Sequence, residues 1–171
     1  MSNDTNVDIL LYVSAEFWDK RPQYKVSIDG VDVIPPTEFD LNSGETKEIK
    51  FTHVFPESEE VTPALLKLHL LNKEPSDTKK DNYDDPDNFK IVADMLLTLK
   101  SIELDGIVLP IGSDYNENSD DVGYYLVDEP VEYKGTPNTT KIQGCNTMGW
   151  NGAYCFEFKV PIYLWILDQF K

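Results

Sequence analysis

Along this chain apolar residues recur mainly at every second position, the period of a strand with one buried face, and seldom at helical spacing. Tyr24, Val26 and Ile28 alternate with Lys25, Ser27 and Asp29. Ile49, Phe51 and Phe55 alternate with Glu48, Lys50 and Thr52, which places His53 on the apolar face. Leu66, Leu68 and Leu70 alternate with Lys67, His69 and Leu71; Tyr154, Phe156, Phe158 and Val160 alternate with Cys155, Glu157 and Lys159. In the first run Ile9 and Leu11 alternate with Leu10 and Tyr12, a strand apolar on both faces. Aromatic and branched residues dominate these runs, as they do in strands.

One segment breaks the period. Leu97 and Leu99 share a face, and so do Ile102 and Leu104, but the step from 99 to 102 is three. A regular strand would put the two pairs on opposite faces. A one-residue bulge near Lys100 and Ser101 would reunite them; a break into two strands is the alternative. Asp29-Gly30 and Asp105-Gly106 are hairpin dipeptides, each followed by a β-branched residue. Pro35-Pro36, Pro56, Pro63, Pro75 and Pro86 bound or interrupt the runs, as loop and edge prolines do. Helix signals are poor and no βαβ alternation or fixed-period repeat is present, so the pattern predicts an all-β sandwich or barrel.

The length of 171 residues suits one domain, and 40% apolar residues supply a core. Fifteen basic against 31 acidic residues give a net charge of −16. That balance argues against nucleic acid, which would be repelled, and against a polybasic membrane dock. The same charge admits an acidic mimic of nucleic acid as a further class. No stretch reaches the roughly 18 apolar residues of a membrane helix, and MSNDTNVDI is expected to hold no signal peptide. Two His and two Cys leave little for zinc or His-based catalysis. Cys145 and Cys155 are ten positions apart across a glycine-rich loop that would allow a disulfide; two reduced thiols are the favoured reading. No phosphate loop, nucleophile elbow or Walker motif is present, and no catalytic residue is assigned: the chain is expected not to be an enzyme.

Two polar stretches read as long acidic surface loops. Residues 72 to 94 carry Asp77, Asp81, Asp84, Asp85, Asp87 and Asp94. Carboxylates so crowded repel one another, and calcium, which takes six to eight oxygens, would relieve that repulsion. Residues 112 to 123 place Asp114, Asn116, Asn118 and Asp120 at alternate positions, as the first ligands of an EF-hand-type loop would fall. Ser119 stands there in place of the turn glycine and Tyr125 in place of the last glutamate. A solvated acidic surface is the other reading of both loops. Calcium is thus a candidate cofactor, though none is required. Trp18 and Trp150 lie in polar surroundings where an indole can meet a sugar ring. Exposure of either beside residues 77 to 94 is what that reading needs. The C-terminal run PIYLWILDQF, with Tyr163, Trp165 and Phe170, reads as a buried last strand or a tail that docks on a partner.

The hairpin AEFWDKRPQYKVSIDGVDV, then HLLNK, an acidic loop and ADMLLTLKSIELDGI, resembles the calcium-dependent, xylan-binding carbohydrate-binding modules over residues 8 to 110. The Leu97, Leu99, Ile102, Leu104 pattern is the closest point of likeness. Where those modules carry calcium-ligating aspartates on the bulged strand, this chain has Leu96 and Lys100, with Asp94 offset by two. The chain also resembles virion structural proteins of tailed phages of cyanobacteria, through FTHVF and a closing run with a Trp. These resemblances imply a single jelly-roll-like antiparallel β-sandwich over 1–171. An irregular extension at about 111–153 and a C-terminal strand or docking tail at about 154–171 are expected with it. The function expected first is a non-catalytic virion protein, located in the virion after synthesis in the host cytoplasm. Its partners would be other virion proteins or further copies of itself. A calcium-dependent carbohydrate-binding or host-adhesion module is the second expectation.

Overall fold

The computed structural model describes residues 5–57, 60–81, 85, 89–109, 111 and 123–169, with side chains to 167. The strands are β1 (Thr5–Glu16), β2 (Gln23–Ile28), β3 (Val31–Glu38), β4 (Thr46–Phe55), β5 (Thr62–Leu70), β6 (Lys79–Lys80) and β7 (Ile91–Ala93). They continue with β8 (Leu96–Leu104), β9 (Ile107–Leu109), β10 (Gly123–Tyr133), β11 (Thr136–Gln143), β12 (Thr147–Met148) and β13 (Gly152–Val160). A helix, α1 (Ile162–Gln169), closes the described chain. One sheet runs β12-β8-β1-β4, with β9 on the β12 side of β8; the other runs β11-β10-β13-β5-β2-β3. The pairings are antiparallel, and β6 and β7 form a small ribbon of their own. The result is a jelly-roll-like β-sandwich.

The alternation in the sequence explains the two layers. Val7, Ile9, Leu11 and Val13 of β1 are fully buried, and Ala64, Leu66, Leu68 and Leu70 of β5 answer them from the facing sheet. Tyr154, Phe156 and Phe158 add the aromatic centre, and Phe158 meets the Phe55 ring edge-on at 5.9 Å. His53 shares the inward side of β4 and packs against Phe55. The period break in β8 is a bulge: Tyr12 pairs with Ser101 and Val13 with Leu99, so Lys100 has no partner in β1. Leu97, Leu99, Ile102 and Leu104 all stay inside as a result.

Both Asp-Gly turns form, with Asp29 at φ 50° and Gly30 at 82°, Asp105 at 50° and Gly106 at 81°. These are left-handed conformations that Gly adopts freely and Asp tolerates. Each Asp also extends a neighbouring strand. The Asp29 N–H donates to the Leu65 carbonyl while the Leu65 N–H donates to Asp29 Oδ1, both at 2.9 Å. Asp105 and Asp8 repeat this exchange in the other sheet, both bonds at 2.8 Å. The border strands of the larger sheet carry prolines, Pro35 and Pro36 in β3 and Pro137 in β11.

The structure corrects the sequence reading in two places. The segment expected to be an irregular extension holds β10, β11 and β12, the first two integral to the larger sheet. Tyr125, Val127 and Ile142 point inward there, but β11 is an edge strand with most side chains in water, so its sequence shows no apolar period. Beyond β13, the C-terminal run is α1 and not a strand. Ile162 and Trp165, three apart, are its buried positions, and apolar residues on every side of the run hide that spacing. The two cysteines are free thiols, Cys155 buried and Cys145 half-buried.

Asp29→Ala and Asp105→Ala are each expected to lower the unfolding free energy by about 1–2 kcal/mol, through a lost side-chain acceptor and a strained φ. The matching Asn variants keep both properties and should lose less than half as much. Urea unfolding of the four variants checks this.

Candidate functional site: the Trp150 cleft

At one end of the sandwich lies a cleft of about 570 Å³ walled by three segments. Lys73, Glu74, Pro75 and Thr78 follow β5; Asp128, Glu129, Pro130 and Val131 belong to β10; Gly149, Trp150 and Asn151 lead into β13. The β10 wall exists because that strand departs from its neighbours. Leu126 pairs with Lys141, but the next pair is Val131 with Thr139, a step of 131 − 126 = 5 against 141 − 139 = 2. Pairing with β13 ends at Val127 and Gly152. Pro130 has no amide hydrogen to give a ladder, and bulges of this kind re-aim side chains. Asp128 and Glu129 are thus turned out to solvent on the cleft wall. Gly152 permits the close approach of the third segment, since a Cβ there would lie 2.1 Å from the Leu126 carbonyl oxygen.

Trp150 is 38% exposed, yet its backbone is held on both sides. The buried Tyr125 hydroxyl accepts from the Trp150 N–H at 3.0 Å and donates to the Trp150 carbonyl. Burial pushes the ionisation of Tyr125 far above the ordinary phenol range. The Asn151 side chain exchanges two bonds with the Lys73 backbone, at 2.7 and 2.9 Å, and the Asp128 N–H donates to the Asn151 carbonyl. The Lys73 ammonium, its side chain only 8% exposed, donates to the Gly149 carbonyl and pairs with Asp94 at 2.7 Å. Asp94 Oδ1 also accepts from the Thr78 hydroxyl and the Met95 N–H, each at 2.8 Å. Tyr133 meets the Trp150 indole edge-on at 6.5 Å.

The aspartates singled out as calcium ligands are distributed otherwise. Asp77 caps the Glu74 N–H at 2.7 Å and pairs with Lys20 at 3.0 Å, a bond that raises the Lys20 pKa. Asp94 is answered by Lys73, and Asp81 accepts from the Lys90 N–H at 2.6 Å. Asp85 is half-buried. Asp84 and Asp87 lie outside the described residues, and so do Asp114, Asn116, Asn118 and Asp120. Among the described residues no group of three or more His, Cys, Asp or Glu is arranged to hold a metal ion. Asp77 and Asp94 each have a lysine partner, Lys20 and Lys73.

Trp18 is 48% exposed and donates its indole N–H to the Asp77 carbonyl at 2.8 Å, with the Lys79 ammonium 5.5 Å from its ring centre. It stands beside the acidic loop, as the sugar reading needs, but not on the cleft, so the two tryptophans do not form one platform. The C-terminal trio separates too. Tyr163 is 64% exposed, whereas Trp165 turns inward against Phe156 and Phe158 and belongs to the core, a correction to its place in a partner interface. Phe170 lies outside the described residues. Sequence reasoning missed Lys73, Asp128 and Glu129. The signal for the last two was there: a charged pair and a proline inside an otherwise regular strand run, VDEPV.

No protein-family model matches this chain, and no curated protein sequence matches it. Among solved structures, vCBM60 in complex with galactobiose aligns with 90% of this chain and 99% of its own, at 8% identity and a TM-score of 0.49. A selenomethionine form of vCBM60 covers 89% of this chain and 90% of its own, at 10% identity and a TM-score of 0.47. That second structure is described as part of a link by circular permutation between two families of calcium-dependent carbohydrate binding modules.

Lys73→Met leaves the Asp94 carboxylate without its counter-charge and the Gly149 carbonyl without its donor. It is expected to cost about 3 kcal/mol of stability in urea unfolding.

Proposed function

We propose that this chain is a non-catalytic carbohydrate-binding module whose sugar platform is the Trp150 cleft. The observation that carries the reading is an indole left open to a cleft while its backbone is fixed by Tyr125, Lys73 and Asn151. An exposed aromatic on a rigid support loses little entropy on binding. The C–H face of a pyranose stacks on such a ring. Glu74, Asp128 and Glu129 offer carboxylate oxygens to its hydroxyls, and charge-assisted bonds of this kind are the strong ones. The volume falls within the range of small-ligand sites.

Titration with a panel of neutral, basic and acidic oligosaccharides, followed by tryptophan fluorescence and calorimetry, tests the reading. At least one sugar is expected to bind, Trp150→Ala to weaken it by more than about tenfold, or roughly 1.4 kcal/mol, and Trp18→Ala to leave it intact. Silence across the whole panel would refute it.

A second reading, a virion structural protein that assembles with other virion proteins or with itself, has one observation in its favour. Helix α1 buries Ile162 and Trp165 while Tyr163, Leu164 and Leu167 remain exposed. Assembly interfaces are built on such apolar groups. Here the expected result is self-association in sedimentation velocity that Leu167→Glu abolishes. A wild-type chain that stays monomeric would remove the self-assembly form of this reading.

A further inference from the structure

Among the described residues five aromatic rings carry a cation from the same chain. Arg21 lies over Phe17, Lys79 over Trp18, Lys80 over Phe89, Lys134 over Tyr133 and Lys141 over Tyr124, at 4.2 to 5.5 Å from the ring centres. Among the described residues Trp150 has no such cover, although it is open to solvent and its neighbour Tyr133 does. The face of an indole is electron-rich and is the best of the aromatic faces for a cation. Around it the cleft offers Glu74, Asp128 and Glu129. The lining cation, Lys73, is turned away from any ligand, since its buried ammonium is occupied by Asp94 and the Gly149 carbonyl. Glu74 is paired with Lys20 at 3.5 Å, whereas Asp128 and Glu129 have no lysine or arginine partner among the described residues, so an uncovered indole and two unanswered carboxylates meet in one cavity.

We infer that the cleft selects a glycan bearing protonated amines, an amino sugar of the glucosamine type, over neutral glycans and against uronates. The inference rests on the carbohydrate reading above and names its ligand class. The ammonium takes the place over the indole that a lysine takes on the other rings, and its N–H groups donate to Asp128 and Glu129. A uronate brings its negative charge to the same carboxylates and meets no free cation among the described lining residues. The net charge of −16 steers in the same direction at long range.

The test is calorimetry of the full chain at low ionic strength with four tetramers: glucosamine, N-acetylglucosamine, a neutral glucan and a polyuronate. The glucosamine tetramer should bind at least about tenfold tighter than its N-acetylated counterpart, in which a neutral amide replaces each ammonium. The polyuronate should not bind. Asp128→Asn with Glu129→Gln should erase that preference, and added salt should reduce it. Neutral tetramers binding as tightly as the amine would overturn the inference and leave the carbohydrate reading standing. Absence of binding by all four would remove both. Amine binding that survives Trp150→Ala would overturn the inference as attraction to the acidic surface at large.

Discussion

The ammonium of Lys73 lies nearly out of reach of water, and a charge in that position has to be answered by groups held in place for it. Asp94 comes from the approach to β8 and Gly149 from the approach to β13, while Lys73 itself follows β5. One side chain thereby ties together three segments far apart in sequence at the same end of the sandwich. The cleft is a product of that joint. Its floor is set by where Lys73 draws the loop of Gly149 to Asn151, and its far wall by where β10 leaves the ladder. The exposed indole is consequently carried by rigid backbone rather than by a mobile loop tip.

Much of the fold could be read from residue order. The spacing of Leu97, Leu99, Ile102 and Leu104 admits a continuous strand only with one surplus residue, and Lys100 is that residue. Asp29-Gly30 and Asp105-Gly106 have the chemistry their turns demand. What stayed hidden has a common cause: periodicity reports burial only where one face is apolar and the other polar. β11 is polar on nearly every side because it borders the sheet. α1 is apolar on nearly every side, so the three-residue step from Ile162 to Trp165 does not stand out.

The candidate cleft was legible by half. Trp150 was visible as an indole among glycine and asparagine, but the sequence could not tell it from Trp18, which lies outside the cleft. The carboxylates are the more instructive case. Asp77 and Asp94 looked like cation ligands, and each is one, the cations being Lys20 and Lys73. An aspartate-rich stretch interleaved with lysines fits an internal ion pair as well as a metal. Only the third dimension separates the two, because Lys73 reaches Asp94 from 21 residues away.

The prolines in β3 and β11 have a consequence for crowds of this molecule rather than for one copy. An outermost strand normally offers a row of unpaired amides to any extended chain that passes, and copies held close together tend to zip along it. Pro35 and Pro36 on one flank and Pro137 on the other break that row with positions that have nothing to donate. Crowded copies are therefore less able to join edge to edge through either border of the larger sheet.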